Sequence, residues 1–184
     1  MSSTKTLYSN LERIYNANFR KYDLQNPFFC LKNNELTWHS YVPKESFYTY
    51  DEYFKWVINN NQYSLAVSGK ALIQVYFREE NRIITKGTLA FLPEPDSFMT
   101  YFRFDMDTIN PAPYYHNTYH IHFGYRSDDI RFSLYKFPYP SEFIKFTLFL
   151  LGNSEFTSHN NERFFSDLAT IGESFSHKFE FVTN

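Results

Sequence analysis

Four segments of this chain alternate apolar and polar side chains residue by residue, and that period of two is the strongest constraint on its fold. In Leu72–Arg78, Ile73, Val75 and Phe77 stand against Gln74, Tyr76 and Arg78. In Met99–Asp105, Phe102 and Phe104 stand against Tyr101, Arg103 and Asp105. In Tyr119–Tyr125, Ile121 and Phe123 stand against His120 and His122. In Ile130–Phe137, Ile130, Phe132 and Leu134 stand against Arg131, Ser133 and Tyr135. Successive strand side chains point to opposite faces. Each segment therefore separates an apolar face from one of Arg, His, Asp, Tyr and Gln, and neighbouring strands would make the polar groups converge.

Tyr63–Val67 and Ile83–Leu92 add two more strands, rich in β-branched and aromatic residues. Ser68-Gly69, Glu80-Asn81, Pro93–Pro95, Asn110–Pro113 and Ser127–Asp129 mark the turns. Parallel strands need a crossover of about a dozen residues or more, so these short links predict an antiparallel meander. Upstream, Leu7, Leu11, Ile14 and Tyr22 keep helical spacing, and residues 4–21 read as an amphipathic helix. Phe28–Leu31 and Leu36–Tyr41 flank Asn33-Asn34 as a hairpin. Thr49 with Glu52 forms a capping-box signature that opens a helix to about Asn59, with Tyr53, Phe54, Val57 and Ile58 facing inward. Ser141–Leu151 reads as a helix, Glu162–Ile171 as a short one, and Phe175–Val182 as a last strand. The expectation is one α+β domain over residues 1–184, a curved antiparallel sheet with helices packed on one face. Its parts are N-terminal helices (about 4–60), a β-rich core (about 63–137) and a C-terminal helix and strand (about 141–182).

Composition narrows the function classes. Aromatic residues make up 22% of the chain, with only five Gly and eight Pro, which excludes low-complexity disorder and a collagen-like fibre. A net charge of −2 gives no whole-protein grip on nucleic acid. The single cysteine, Cys30, lies in an apolar run and excludes an internal disulfide or a Cys-rich zinc site. No apolar leader follows Met1–Lys5, and the most apolar stretch, Phe143–Leu151, is far shorter than the roughly 20 residues of a membrane span. A cytoplasmic protein without membrane attachment is expected. The composition also suits an AT-rich bacterial or phage genome.

The densest chemistry is His116-Asn117-Thr118-Tyr119-His120-Ile121-His122, which holds three of the six histidines. A His-x-His pair on a strand puts two imidazoles on one face. With His116 or Asp105 they could ligate a divalent metal, or they could serve as general base and acid with Asp105 orienting one of them. Arg103 and Arg131 would bind phosphate, and Tyr101 and Tyr135 would contact a substrate. The bland alternative is the wet side of a half-buried sheet. No Gly-rich phosphate loop, nucleophile elbow or His-Glu-x-x-His zinc motif occurs. His39, beside Trp38, reads as structural, and His159 and His177 carry no expected role.

Several blocks carry a family resemblance. Ser68–Phe77, Leu89–Pro95, Tyr101–Asp105, His116, His120–His122, Arg131, and Pro140 with Phe143-Ile144 together resemble the bacterial domain of unknown function 2290 family, over about residues 63–150. The order Arg-x-Asp, His, His-x-His is also similar to small toxins of the TumE type. The resemblance implies a toxin or defence-linked bacterial protein with a cognate protein partner, suspected of acting on nucleic acid. Ser68-Gly69-Lys70-Ala71 and Lys86-Gly87-Thr88 depart from the expected blocks, which weakens the case for a contribution of the first hairpin to any shared site. Three functions follow as expectations. One is an RNase-like or nucleotide-acting phosphodiesterase using His120, His122 and Asp105. Another is a module that binds a nucleotide, nucleic acid or protein without turnover. The third is a structural subunit whose aromatics are covered in a homo-oligomer or by a partner.

Overall fold

The computed structural model describes residues 3–25, 29–38, 42, 46–97, 99–109, 118–125, 131–134 and 136–152. The expected helix at 162–171, the last strand at 175–182, and His39, His116, Tyr135, His159 and His177 lie outside them. In chain order the elements are α1 (Thr4–Asn18), β1 (Leu24–Gln25), β2 (Cys30–Lys32), β3 (Glu35–Thr37), α2 (Tyr50–Asn59), β4 (Leu65–Val67), β5 (Ala71–Glu80), β6 (Ile83–Pro93), β7 (Phe102–Asp107), β8 (Tyr119–Phe123), β9 (Arg131–Ser133) and α3 (Pro140–Gly152).

Local chemistry sets the element ends. At α2 the Glu52 N–H donates to the Thr49 hydroxyl (3.2 Å) and the Thr49 N–H donates to the Glu52 carboxylate (3.1 Å), a complete capping box. The helix stops where the Asn60 amide donates to the Trp56 carbonyl and Asn61 turns left-handed at φ 52°. Helix α1 ends before the expected residue 21, because the Asn18 amide donates to the Ile14 carbonyl and competes with the next helical turn. Its start is tied to the sheet, since the Thr4 N–H and hydroxyl both donate to Glu79 (2.8 and 2.9 Å).

The strands form one open antiparallel sheet in the order β1-β4-β5-β6-β7-β8-β9, and β3 of the β2–β3 hairpin docks on the outer half of β5. From β5 to β9 it is the expected meander. Two hairpins turn on residue pairs with both φ values positive: Asn33-Asn34 (50° and 62°) and Asn81-Arg82 (51° and 65°). That backbone matches the twist of the flanking strands. The second turn sits one residue later than Glu80-Asn81.

The apolar face carries the main core. Ile73, Val75, Phe77, Leu89, Phe91, Phe102, Phe104 and Ile121 pack against Leu7, Leu11 and Ile14 of α1 and Phe143, Ile144 and Leu148 of α3. Phe123 keeps that parity but stands 38% exposed, because β8 ends there. Helix α2 builds a second, smaller cluster with Leu72, Ala90, Leu92 and Tyr101 on the opposite face. It buries Tyr53, Phe54 and Val57, whereas Ile58 is 41% exposed. At 3.6 residues per turn, Ile58 falls one step past Phe54 on the outer side of the buried arc. No helix among the described residues is long and apolar enough to cross a membrane.

Candidate functional site

Strand register turns the alternation into two cross-strand rows. One runs Gln74, Ala90, Arg103, His122, Arg131, and the other Tyr76, Thr88, Asp105, His120, Ser133. Each residue is the direct antiparallel partner of the next, close enough for side chains to interact. The expected polar face therefore converges on β6, β7, β8 and β9.

Asp105 is the hub. Its Oδ2 accepts from Arg103 Nε at 2.6 Å, and its Oδ1 accepts from the Thr88 hydroxyl at 2.9 Å. His122 Nε2 lies 3.3 Å and His120 Nε2 3.8 Å from the same Oδ2. The two imidazoles sit 4.9 Å apart, centroid to centroid, at 65°. Both are buried, His120 to 3% exposure and His122 to 2%. Among the described residues neither ring nitrogen of His122 has a hydrogen-bond partner; the 3.3 Å approach to Asp105 lacks the geometry of a hydrogen bond.

Electrostatics follow from this crowding. Burial, and then the Arg103 guanidinium, lower the His122 pKa to about 3, against a smaller upward pull from Asp105. His122 is thus a neutral imidazole at physiological pH. Burial disfavours the Arg103 cation, yet Tyr101 and Asp105 beside it outweigh that cost and its pKa rises. Burial raises Tyr53 and Tyr101, so both stay neutral phenols.

Beside the hub, a cavity of about 250 Å³ opens between α2 and the sheet. Its walls are Trp38, Tyr53, Trp56 and Tyr101, and its floor includes Gln74, Thr88, Arg103 and Asp105. Gln62 holds one side together. Its carbonyl oxygen Oε1 accepts from Trp38 Nε1 (2.8 Å), its amide donates to the Asn60 backbone (2.7 Å), and its backbone carbonyl accepts from the Gln74 amide (2.6 Å). The Tyr53 hydroxyl faces Gln74 and Tyr101, and the Tyr101 hydroxyl faces Arg103. A polar chain thus runs from the cavity wall to the Asp105 hub.

Of the residues singled out by sequence, the structure joins Tyr101, Arg103, Asp105, His120 and His122, with Arg131 in register beside His122. Tyr76 and Arg78 share the polar parity but are engaged elsewhere: the Tyr76 hydroxyl donates to Glu35 (3.2 Å), and Arg78 pairs with Glu80 (3.0 Å). His116 and Tyr135 fall outside the described residues; of the two third ligands expected beside His120 and His122, Asp105 is described, and the ligand atoms of Asp105, His120 and His122 lie within 4.8 Å of one another. Sequence reasoning missed Trp38, Tyr53, Trp56, Gln62 and Thr88 as lining. One signal was present: Thr88 opposes Leu89 in the same alternation, on the polar side of β6. No family model, no curated protein and no solved structure matches the chain.

Proposed function

We propose that the protein is a binding module that takes the nucleobase of a nucleotide, or of an unpaired nucleic-acid residue, into the cavity under α2. The observation that carries this reading is the cavity's composition. Four aromatic rings make its walls, and Gln74, Thr88, Arg103 and Asp105 offer both donors and acceptors on its floor. Aromatic walls stack planar heterocycles, a contact worth about 1–3 kcal/mol per base in single-strand binders. A floor of amide, guanidinium and carboxylate reads the edge of such a ring. At about 250 Å³ the space is below the roughly 300–1,000 Å³ of drug-sized pockets, which suits one heterocycle rather than an oligomer.

The phosphodiesterase reading needs His120 or His122 at the substrate. Both are almost fully buried, and neither lines the cavity. Binding without turnover accordingly takes precedence over catalysis, and a toxin or defence role has no further support.

The chain's only two tryptophans, Trp38 and Trp56, both line the cavity, so intrinsic tryptophan fluorescence reports on it alone. Titration with nucleosides, nucleoside monophosphates and short single-stranded oligonucleotides is expected to give saturable quenching. Quenching should weaken in Arg103→Met. If millimolar concentrations of the whole panel leave the emission unchanged, the reading is wrong.

A further inference from the structure

We propose that Asp105, His120 and His122 bind a transition-metal dication of the zinc, cobalt or nickel class. This does not depend on the nucleobase reading. Three ligand atoms, one from each residue, lie within 4.8 Å of one another. Metal–nitrogen and metal–oxygen distances of about 2.0–2.2 Å ask for edges no longer than about 4 Å. The two edges to Asp105 Oδ2, 3.3 and 3.8 Å, already meet that. The remaining edge, between the two imidazoles, lies within 4.8 Å.

The second observation is His122 itself. It is 2% exposed, both its ring nitrogens lack a hydrogen-bond partner among the described residues, and Nε2 faces the carboxylate oxygen of Asp105. Buried polar groups without partners are rare and call for an explanation. A cation between Nε2 and Oδ2 engages the lone pairs of both. The supporting contacts are those a ligating carboxylate needs, since Thr88 and Arg103 fix Asp105 from the sides.

The surrounding charge selects the ion. Arg103 lies against the same carboxylate oxygen, and Arg131 is the cross-strand partner of His122. One carboxylate already paired with the Arg103 guanidinium gives little hold on Mg²⁺ or Ca²⁺, which require several oxygen ligands. Ions of borderline softness gain from the two imidazoles and lose less. The site therefore discriminates by ligand type, with zinc and its neighbours favoured.

The test uses the full-length chain, freed of metal with a chelator. Zn²⁺ is titrated in competition with a chromophoric chelator, and Co²⁺ is added separately for its visible absorption. One Zn²⁺ per chain is expected, with a rise in Tm, no competition from millimolar Mg²⁺ or Ca²⁺, and a Co²⁺ spectrum of a nitrogen- and oxygen-ligated ion. Zn²⁺ affinity should fall at least tenfold in His122→Gln and in Asp105→Asn and stay unchanged in His177→Ala. Should a variant fail to fold by circular dichroism, the parent's stoichiometry and Co²⁺ spectrum decide. Absence of a stoichiometric ion in the parent overturns the proposal. So does zinc binding that folded His122→Gln and Asp105→Asn leave intact.

Discussion

Within β7, neighbouring residues are buried by different physics. Phe102, Phe104 and Met106 enter a core sealed by α1 and α3, and they need only apolar volume around them. Arg103 and Asp105, one residue away in each direction, are also largely shielded, under α2 and β8, but they depend on directed contacts. The apolar face is satisfied by packing alone. The polar face holds a half-saturated network in which Asp105 serves two donors and His122 has no hydrogen-bond partner among the described residues. Hydrophobic burial tolerates such neighbours only when geometry supplies their partners. A face that accepts this cost, next to an aromatic-walled cavity, is where a ligand site is to be sought.

Substitutions on either side of β7 can break that contrast. The largest expected effect is Phe104→Ala, which empties a fully packed position and should cost about 3–5 kcal/mol in urea unfolding. The folded fraction should still show ligand quenching of tryptophan fluorescence, because the cavity lies on the other face. If Phe104→Ala abolished quenching while remaining folded, the two faces would not be independent.

Asp105→Asn comes next. It keeps the shape but removes the charge that pairs Arg103, and should cost about 1–3 kcal/mol of stability by urea unfolding while also weakening ligand binding. A stability loss without any loss of binding would reduce the hub to scaffolding. Gly87→Ala, on the apolar face, belongs in the same range. A Cβ there would meet the buried Phe77 ring at 2.8 Å, and overpacking of this kind costs about 1–3 kcal/mol. Its predicted signature is a lowered urea midpoint with unchanged ligand affinity.

The smallest effect concerns Glu79, which anchors the start of α1. Hydrogen bonds from the Thr4 backbone and hydroxyl hold its pKa below the ordinary 4.5. A depressed carboxylate stabilises the fold above its unfolded pKa, and that stability is lost as pH falls through the folded value. Glu79→Gln should therefore flatten the acid limb of a Tm-against-pH curve below about pH 4.5 and leave binding alone. An acid limb identical to the parent's would show that the anchor contributes nothing.

The contrast between the faces was legible before the structure, and its limits are instructive. The parity of β5, β7, β8 and β9 reads directly off Ile73/Gln74, Phe104/Asp105, Ile121/His122 and Phe132/Arg131, because a strand has only two faces. The Thr49–Glu52 box and the Asn33-Asn34 turn were equally readable, since each encodes its own hydrogen bonds or dihedral angles. Register was not, because the links into β7 and β8 are too long for residue counting to align strands. Nor was the layer of α2. Tyr53, Phe54 and Val57 announce an apolar stripe, but nothing local says which face of the sheet will receive it. That choice buries Tyr101 and makes the cavity. The two-residue β1 carries no periodicity at all.

The central claim, that the α2 side of the sheet is a ligand site, is tested most directly by the indole region of a ¹H–¹⁵N spectrum. With two tryptophans in the chain, it holds two indole signals, and the Trp38 N–H is donated to Gln62 at the cavity edge. Addition of a nucleoside monophosphate is predicted to shift both signals along one saturable curve, while the amides of Leu7 and Leu11 under the opposite face stay still. Two unmoved indole signals at saturating ligand would contradict the account.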